Sequence, residues 1–332
     1  MENKYQLPLG SKAGGLSFTA VVFFNLLISL LVSLILQVIK ASGVDLDGTQ
    51  VQTYLSLLTS PIAIAIVLAL TLRVVKQPAR SVLPVKTHPK YYLIAVIIVF
   101  GALFSLNQLN EWVVEFCELL GYQRREGFIP DVSGWRILPV MLVVAVIPAF
   151  MEEIAFRGIL LNNAERGVGT LRVIFVTGFC FAIYHGSVEQ TVYQFIMGCI
   201  FGLLAVRSRS LGPVILTHFL NNAVILVLLA CGAYDEATGV LLISHGGEIA
   251  LYILSAVSLA GGLTWLILDT VFAFKRGAVQ KTAESDNANS DGEVMPCQSG
   301  GVKTFFIWAL IGIIIMAVLW LAGLFPTPTP AA

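Results

Sequence analysis

An all-α, polytopic membrane bundle of eight or nine transmembrane helices is the fold class this sequence predicts. Three observations carry that reading. Of 332 residues, 57% are apolar and only 12% are charged, whereas an ordinary soluble domain carries about 25% charged residues. Mean hydropathy is +0.85. The apolar residues also fall in runs near the ~20 that a helix needs to cross a bilayer. This composition excludes a soluble globular enzyme and a wholly disordered chain. Twenty basic and twenty acidic residues cancel, with no basic stripe, which argues against a nucleic-acid partner.

The candidate spans are roughly 17–39, 52–73, 91–110, 137–163, 171–186, 190–206, 213–231, 248–273 and 303–324. The fifth and sixth are short. The first is too long for a cleaved signal peptide and has no convincing cleavage site, so it reads as a retained span. Loop charges set the orientation. Arg73, Lys76, Arg80, Lys86 and Lys90 lie between the second and third spans. Arg157, Arg166 and Arg172 follow on the fourth, Arg207 and Arg209 on the sixth, and Lys275, Arg276 and Lys281 on the eighth. The alternate loops carry Asp45 and Asp47, then Glu111, Glu115 and Glu118, then Asp235 and Glu236. Nine spans with a cytoplasmic N-terminus fit, and the 110–136 loop, with Arg124, Arg125 and Arg136, is the exception. The expected location is the plasma membrane.

Residues 276–301 are polar, small and acidic, and read as a flexible cytoplasmic linker. The expected organisation is a transmembrane bundle over 1–275, this linker, and an additional helix and tail over 302–332. Four of the five cysteines lie in or beside apolar runs and Cys297 lies in the polar loop. No CxxC spacing occurs, so a disulfide scaffold or zinc ribbon is not expected.

Polar chemistry inside the spans is concentrated in three places. An ionisable residue at mid-span costs about 2.5–3.5 kcal/mol on insertion scales and is a functional hypothesis by default. The first place is MEEIAFRG, with Glu152, Glu153 and Arg157. Glu153 and Arg157 are four apart, share a helix face and can pair. Glu152 is turned about 100° away and lacks that partner. Adjacent carboxylates in low dielectric repel unless a cation compensates, an arrangement suited to a general base. Pro148 should kink the helix one turn earlier. The plain alternative is a solvated charged face at the helix end.

The second place is FCFAIYHG, with His185 four residues after Phe181. A structural or interfacial histidine is its plain alternative. The third is GPVILTHFLNNA, where Gly212–Pro213 opens a helix and His218 and Asn222 share a face. Such donors can hold an oxyanion, or simply join helices. Together the three supply the ingredients of water activation and oxyanion stabilisation, which is amide hydrolysis chemistry.

In these residues the sequence resembles the CPBP family, the CAAX-protease and bacteriocin-processing intramembrane proteases, also called Abi proteins. That family is marked by EExxxR, FxxxH and HxxxN or HxxxD on successive helices. Here they stand as Glu152 to Arg157, Phe181 to His185 and His218 to Asn222, within a core of about 137–231. The resemblance implies that Glu152 activates water with help from His185. It implies that His218 and Asn222 hold the oxyanion, and that Glu153 and Arg157 form a supporting pair. Both a zinc mechanism, through Glu152, His185 and His218, and a metal-free one remain open. No HExxH is present, and the balance leans towards no obligatory metal.

One geometric point resists the picture. Along straight helices His185 falls near the outer end of its span, while His218 lies about 9 Å from the inner end of its own. A shared site needs the fifth helix tilted, broken or shallow, and Gly178 and Gly186 would permit a break.

Other intramembrane protease types are disfavoured by the absence of GxSG, of paired YD and GxGD, and of HExxH. A proton-coupled transporter can use intramembrane Glu and His, but no inverted repeat is visible. A non-catalytic scaffold or immunity protein is the remaining alternative. Gly198–Gly202 reads as tight helix packing. The favoured reading is an intramembrane endopeptidase with a cytoplasm-facing cavity, acting on membrane-associated peptide or protein substrates in the lipid bilayer.

Overall fold

The computed structural model describes residues 10–44, 46, 49–74, 82–123, 131–164, 170–235, 240–287 and 302–324. Among these, nine helices form a bundle: α1 (Gly10–Ala41), α2 (Gln50–Val74), α3 (Lys90–Leu119), α4 (Gly134–Ala164), α5 (Thr170–Tyr184), α6 (Thr191–Ser208), α7 (Gly212–Ala230), α8 (His245–Asn287) and α9 (Val302–Leu324). A two-residue antiparallel ladder, Tyr234–Asp235 with Val240–Leu241, bridges α7 to α8. All the helices except α5 contain a stretch long and apolar enough to span a membrane, eight in all among the described residues. Their outward faces carry large apolar side chains such as Phe23, Leu30, Trp112, Ile253 and Ile311. That distribution suits a lipid solvent, and the chain is an integral membrane protein.

The predicted spans differ from the helices at three points. The third helix continues through Leu119, so Glu111, Glu115 and Glu118 extend a helix instead of starting a loop. Nothing in the sequence breaks it before Gly121, whose φ of +97° suits glycine. The eighth helix runs through Asn287, so the backbone of 276–287 is helical where a linker is expected. Its Ala, Gln, Lys and Glu are good helix formers. Residues 288–301, the rest of that expected linker, lie outside the described residues. The fifth helix, at 15 residues, rises only about 22 Å and stops inside the bundle.

The core is aromatic and centred on α4, α5 and α6. Phe156, Phe181 and Phe201 are fully buried and meet edge-on in series, with centroids 5.2 and 6.2 Å apart. At Gly198, a Cβ would come within 2.9 Å of Gly178 Cα, so the two glycines let α5 and α6 touch backbone to backbone. This bears out the tight-packing reading of Gly198. It also corrects the role expected of Gly178, which is a contact point and not a break.

Helices outside this core are pinned by polar groups. Asp269 of α8 accepts from Lys90 Nζ at 2.6 Å and Tyr91 OH at 2.9 Å on α3, and pairs with Arg207 Nε of α6 at 2.7 Å. Trp320 of α9 donates to Thr191 Oγ1 at 2.7 Å, and Thr191 donates to Ser187 O at 2.6 Å. The last helix is thereby tied to the turn that follows His185.

Candidate active site

Glu152 and Glu153 lie where α4 departs from regular geometry. The run passes through a π-helical segment at Met141–Val146, an α segment at Ile147–Glu153 and a second π segment at Ile154–Leu161. Wide turns of this kind concentrate at functional sites. Pro148 stands at the start of the α segment, where a missing N–H is best tolerated. The irregularity expected there takes the form of the wide turn just before it.

Glu153 is fully buried and fully engaged on one oxygen. Its Oε1 accepts from Arg157 Nη1 at 2.9 Å and from His218 Nδ1 at 2.8 Å. Arg157, also fully buried, donates its Nη2 to Gly198 O at 2.9 Å. Its guanidinium sits 4.5 Å from the Phe181 ring centre and 5.1 Å from that of Phe201. The four-residue spacing of Glu153 and Arg157 thus produces the expected pair. The charge is held between aromatic faces on three helices.

Glu152 has the opposite environment. Its side chain is 13% exposed where that of Glu153 is fully buried, and Oε2 of each carboxylate lacks a hydrogen-bond partner among the described residues. It faces His185 Nε2 at 3.8 Å and His218 Nε2 at 4.0 Å. Both separations exceed a hydrogen bond.

The two imidazoles are oriented by their other nitrogens. His185 Nδ1 lies 2.8 Å from Phe181 O, four residues back. That carbonyl is in the last turn of α5, where backbone acceptors lack helical partners, and the N–H of His185 turns instead to Ala182 O. A carbonyl only accepts, so Nδ1 carries the proton. Glu153 Oε1, 2.8 Å from His218 Nδ1, orients that ring. Each ring therefore directs Nε2 towards Glu152. The FxxxH spacing has a physical reason: Phe181 supplies the carbonyl that sets the His185 tautomer and the aromatic face that Arg157 covers.

The short α5 resolves the geometric objection. It ends at Tyr184, and Gly186, at φ +60°, turns the chain back towards α6. His185 consequently meets Glu152 within the bundle instead of lying at an outer surface. Tyr184 adds a cross-link, its hydroxyl 2.8 Å from Ser60 Oγ on α2.

Asn222 lies on the His218 face of α7 but makes a different first contact from the one expected. Its Nδ2 donates to Val144 O at 3.0 Å, and its Oδ1 accepts from Asn221 Nδ2 at 3.2 Å. Asn221 Oδ1 in turn accepts from the Tyr193 hydroxyl. The second N–H of Asn222 is additional to these bonds. Tyr193 was not legible as a site residue, because its partner belongs to another helix. Asp269 was more accessible: a lone acid in the apolar run LILDTVF signals a partner.

Glu152, His185 and His218 are the residues that would hold zinc. A four-coordinate zinc with bonds of about 2.0–2.2 Å brings its ligand atoms within roughly 3.5 Å of each other. The Oε2–Nε2 separations here are 3.8 and 4.0 Å. No group of three His, Cys, Asp or Glu among the described residues is arranged to hold a metal ion. These separations are a few tenths of an ångström wider than a closed zinc site requires.

The fold and site define a helical membrane protein with a Glu–His–His cluster between its helices. Comparison with known proteins agrees with that description. Residues 134–224 match the family described as type II CAAX prenyl endopeptidase Rce1-like. The chain is 28% identical over 209 residues to the membrane-embedded CAAX protease MroQ of Staphylococcus aureus (strain USA300). That stretch covers 60% of this chain and 83% of the relative. No solved structure matches. All six candidate residues, Glu152, Glu153, Arg157, His185, His218 and Asn222, fall within the segment that is similar to that family.

Proposed function

We propose that this protein is an intramembrane endopeptidase that hydrolyses a peptide bond with water activated by Glu152. The observation that carries the proposal is the convergence of two Nε2 atoms on the one carboxylate that no cation occupies. A water bridging these groups gives its proton to Glu152 while His185 Nε2 orients it. The hydroxide adds to the carbonyl carbon. His218, braced by Glu153, and the second N–H of Asn222 hold the oxyanion. The C–N bond then breaks, and Glu152 returns the proton to the leaving amine.

In this reading no metal is obligatory, and substrates are membrane-associated peptides or proteins, a prenylated C-terminus being one class. In this reading the protein sits in the plasma membrane with its N-terminus and its substrate entry on the cytoplasmic side. Full-length wild type and Glu152→Gln, purified in detergent, test the reading on a panel of membrane-tethered peptides, with EDTA-treated and zinc-supplemented wild type alongside. Cleavage that survives EDTA and is abolished in Glu152→Gln is expected. Cleavage lost with EDTA and restored by zinc would overturn the metal-free step. Equal cleavage by both proteins would overturn the role of Glu152.

A further inference from the structure

Arg209 is the one residue other than glycine with a positive φ among the described residues, at +52°. It stands just past the end of α6, where glycine is the usual choice. A side chain in this conformation crowds its own backbone, and such strain persists only where the surroundings impose it. Here they do. Ser208 Oγ donates to Ser210 O at 2.9 Å, and Ser210 Oγ donates to Val85 O at 2.6 Å. Thr87 Oγ1 donates to Ser208 O at 2.7 Å, so the turn is fastened on both sides of Arg209. Arg209 itself is exposed, and its guanidinium makes no ion pair among the described residues.

Beside this turn lies the cluster that joins α3, α6 and α8. Asp269 holds Lys90, Tyr91 and Arg207. The Lys90 and Arg207 cations stand 5.0 and 5.6 Å from the Tyr91 ring centre. Arg209 is close enough to act electrostatically on the Tyr91 hydroxyl, which places it in the same cluster. Three cations against one carboxylate leave two positive charges over. Donors are left over as well. Asp269 takes one of the three N–H groups of Lys90, and from Arg207 it takes Nε, so the terminal nitrogens of that guanidinium are additional to the pairing. Lys90 and Arg207 are partly exposed, so the cluster opens at the surface. Leu93, one turn further along α3, and Leu268, next to Asp269 on α8, are exposed and apolar.

From this we infer that Lys90, Arg207 and Arg209 bind the phosphate of an anionic phospholipid whose acyl chains lie along Leu93 and Leu268. A surplus of positive charge above an apolar flank complements both halves of such a molecule, and basic pockets between membrane helices are suited to anionic headgroups. The fastened turn at Ser208–Ser210 keeps Arg209 beside the other two cations. The site uses none of the residues around Glu152, and the inference does not depend on the protease reading.

Thermal unfolding of the full-length protein in mixed micelles tests it, with phosphatidylglycerol or phosphatidylcholine added to the detergent. Wild type is compared with Arg209→Gln, Arg209→Lys and Arg73→Gln, Arg73 being an exposed cation at the end of α2 that leads into α3. Phosphatidylglycerol should raise the wild-type Tm and phosphatidylcholine should not. Arg209→Gln should raise the half-effective phosphatidylglycerol concentration about fivefold, the worth of one cation at an anionic headgroup. Arg209→Lys should recover most of that loss, and Arg73→Gln should match wild type. Equal responses to the two lipids, or equal losses in Arg209→Gln and Arg73→Gln, would overturn the site. Inorganic phosphate that raised Tm as far as phosphatidylglycerol would overturn the lipid assignment.

Arg209→Gly gives a second reading, because it relieves the backbone and removes the charge together. It should raise Tm in detergent alone and respond to phosphatidylglycerol as weakly as Arg209→Gln. A wild-type lipid response in that variant would remove Arg209 from the site.

Discussion

Glu152 and Glu153 are neighbours in sequence and opposites in environment. Glu153 is fully buried, accepts from Arg157 and His218, and is committed to holding three helices together. Glu152 is partly exposed and faces two histidine nitrogens at 3.8 and 4.0 Å. A turn of about 100° along the helix separates a structural carboxylate from a reactive one. The lesson is that the supporting pair makes the free carboxylate usable. Arg157 neutralises the buried charge, and Glu153 directs His218 so that its Nε2 faces the neighbouring carboxylate.

The largest expected effect on rate is at Glu152. Replacing it with Gln removes the proton acceptor and keeps the shape. Cleavage should fall by about 10²–10⁴-fold or more, the usual contribution of a general base, while Tm stays at the wild-type value. Glu153→Gln should do the reverse in the first instance. It leaves the Arg157 charge buried without its carboxylate, a change that typically costs about 3–5 kcal/mol. Thermal unfolding or loss of monodisperse protein on gel filtration would report it. A Glu153→Gln protein as stable as wild type would erase the contrast.

Asn222→Ala sharpens the comparison on the oxyanion side. Loss of one oxyanion donor is worth about 10²–10³ in rate, so turnover should fall by that order in a protein that still folds. Wild-type turnover would remove Asn222 from the site. The smallest effect is expected at Trp320. Trp320→Phe removes one hydrogen bond to Thr191, worth about 0.5–1.5 kcal/mol. A small Tm loss with little change in cleavage is expected. A large loss of cleavage would mean that α9 sets the position of His185 and not merely its surroundings.

Much of this division was legible before any coordinates. The four-residue spacing of Glu153 and Arg157 gives their ion pair, and the helical offset of Glu152 gives its lack of one. Apolar run lengths mark all nine helices as candidate spans, of which eight are long and apolar enough to cross. What was not legible depended on contacts between helices. The meeting of His185 with Glu152 required α5 to stop at Tyr184, which apolarity alone does not announce. The Tyr193–Asn221–Asn222 chain joins two helices that share no periodic signal. The anchor of Asn222 on Val144 required α7 to lie beside that turn. The extensions of α3 and α8 ran into polar sequence, where helix propensity prevailed over a boundary drawn from hydropathy.

The central claim is that two adjacent glutamates divide catalysis and architecture between them. Its most direct test compares wild type, Glu152→Gln and Glu153→Gln in one detergent, each assayed for peptide cleavage and for thermal unfolding. The expected result is a crossed pattern: Glu152→Gln folded and inactive, Glu153→Gln markedly destabilised. Glu152→Gln cleaving at the wild-type rate, or both variants losing stability to the same extent, would contradict the account.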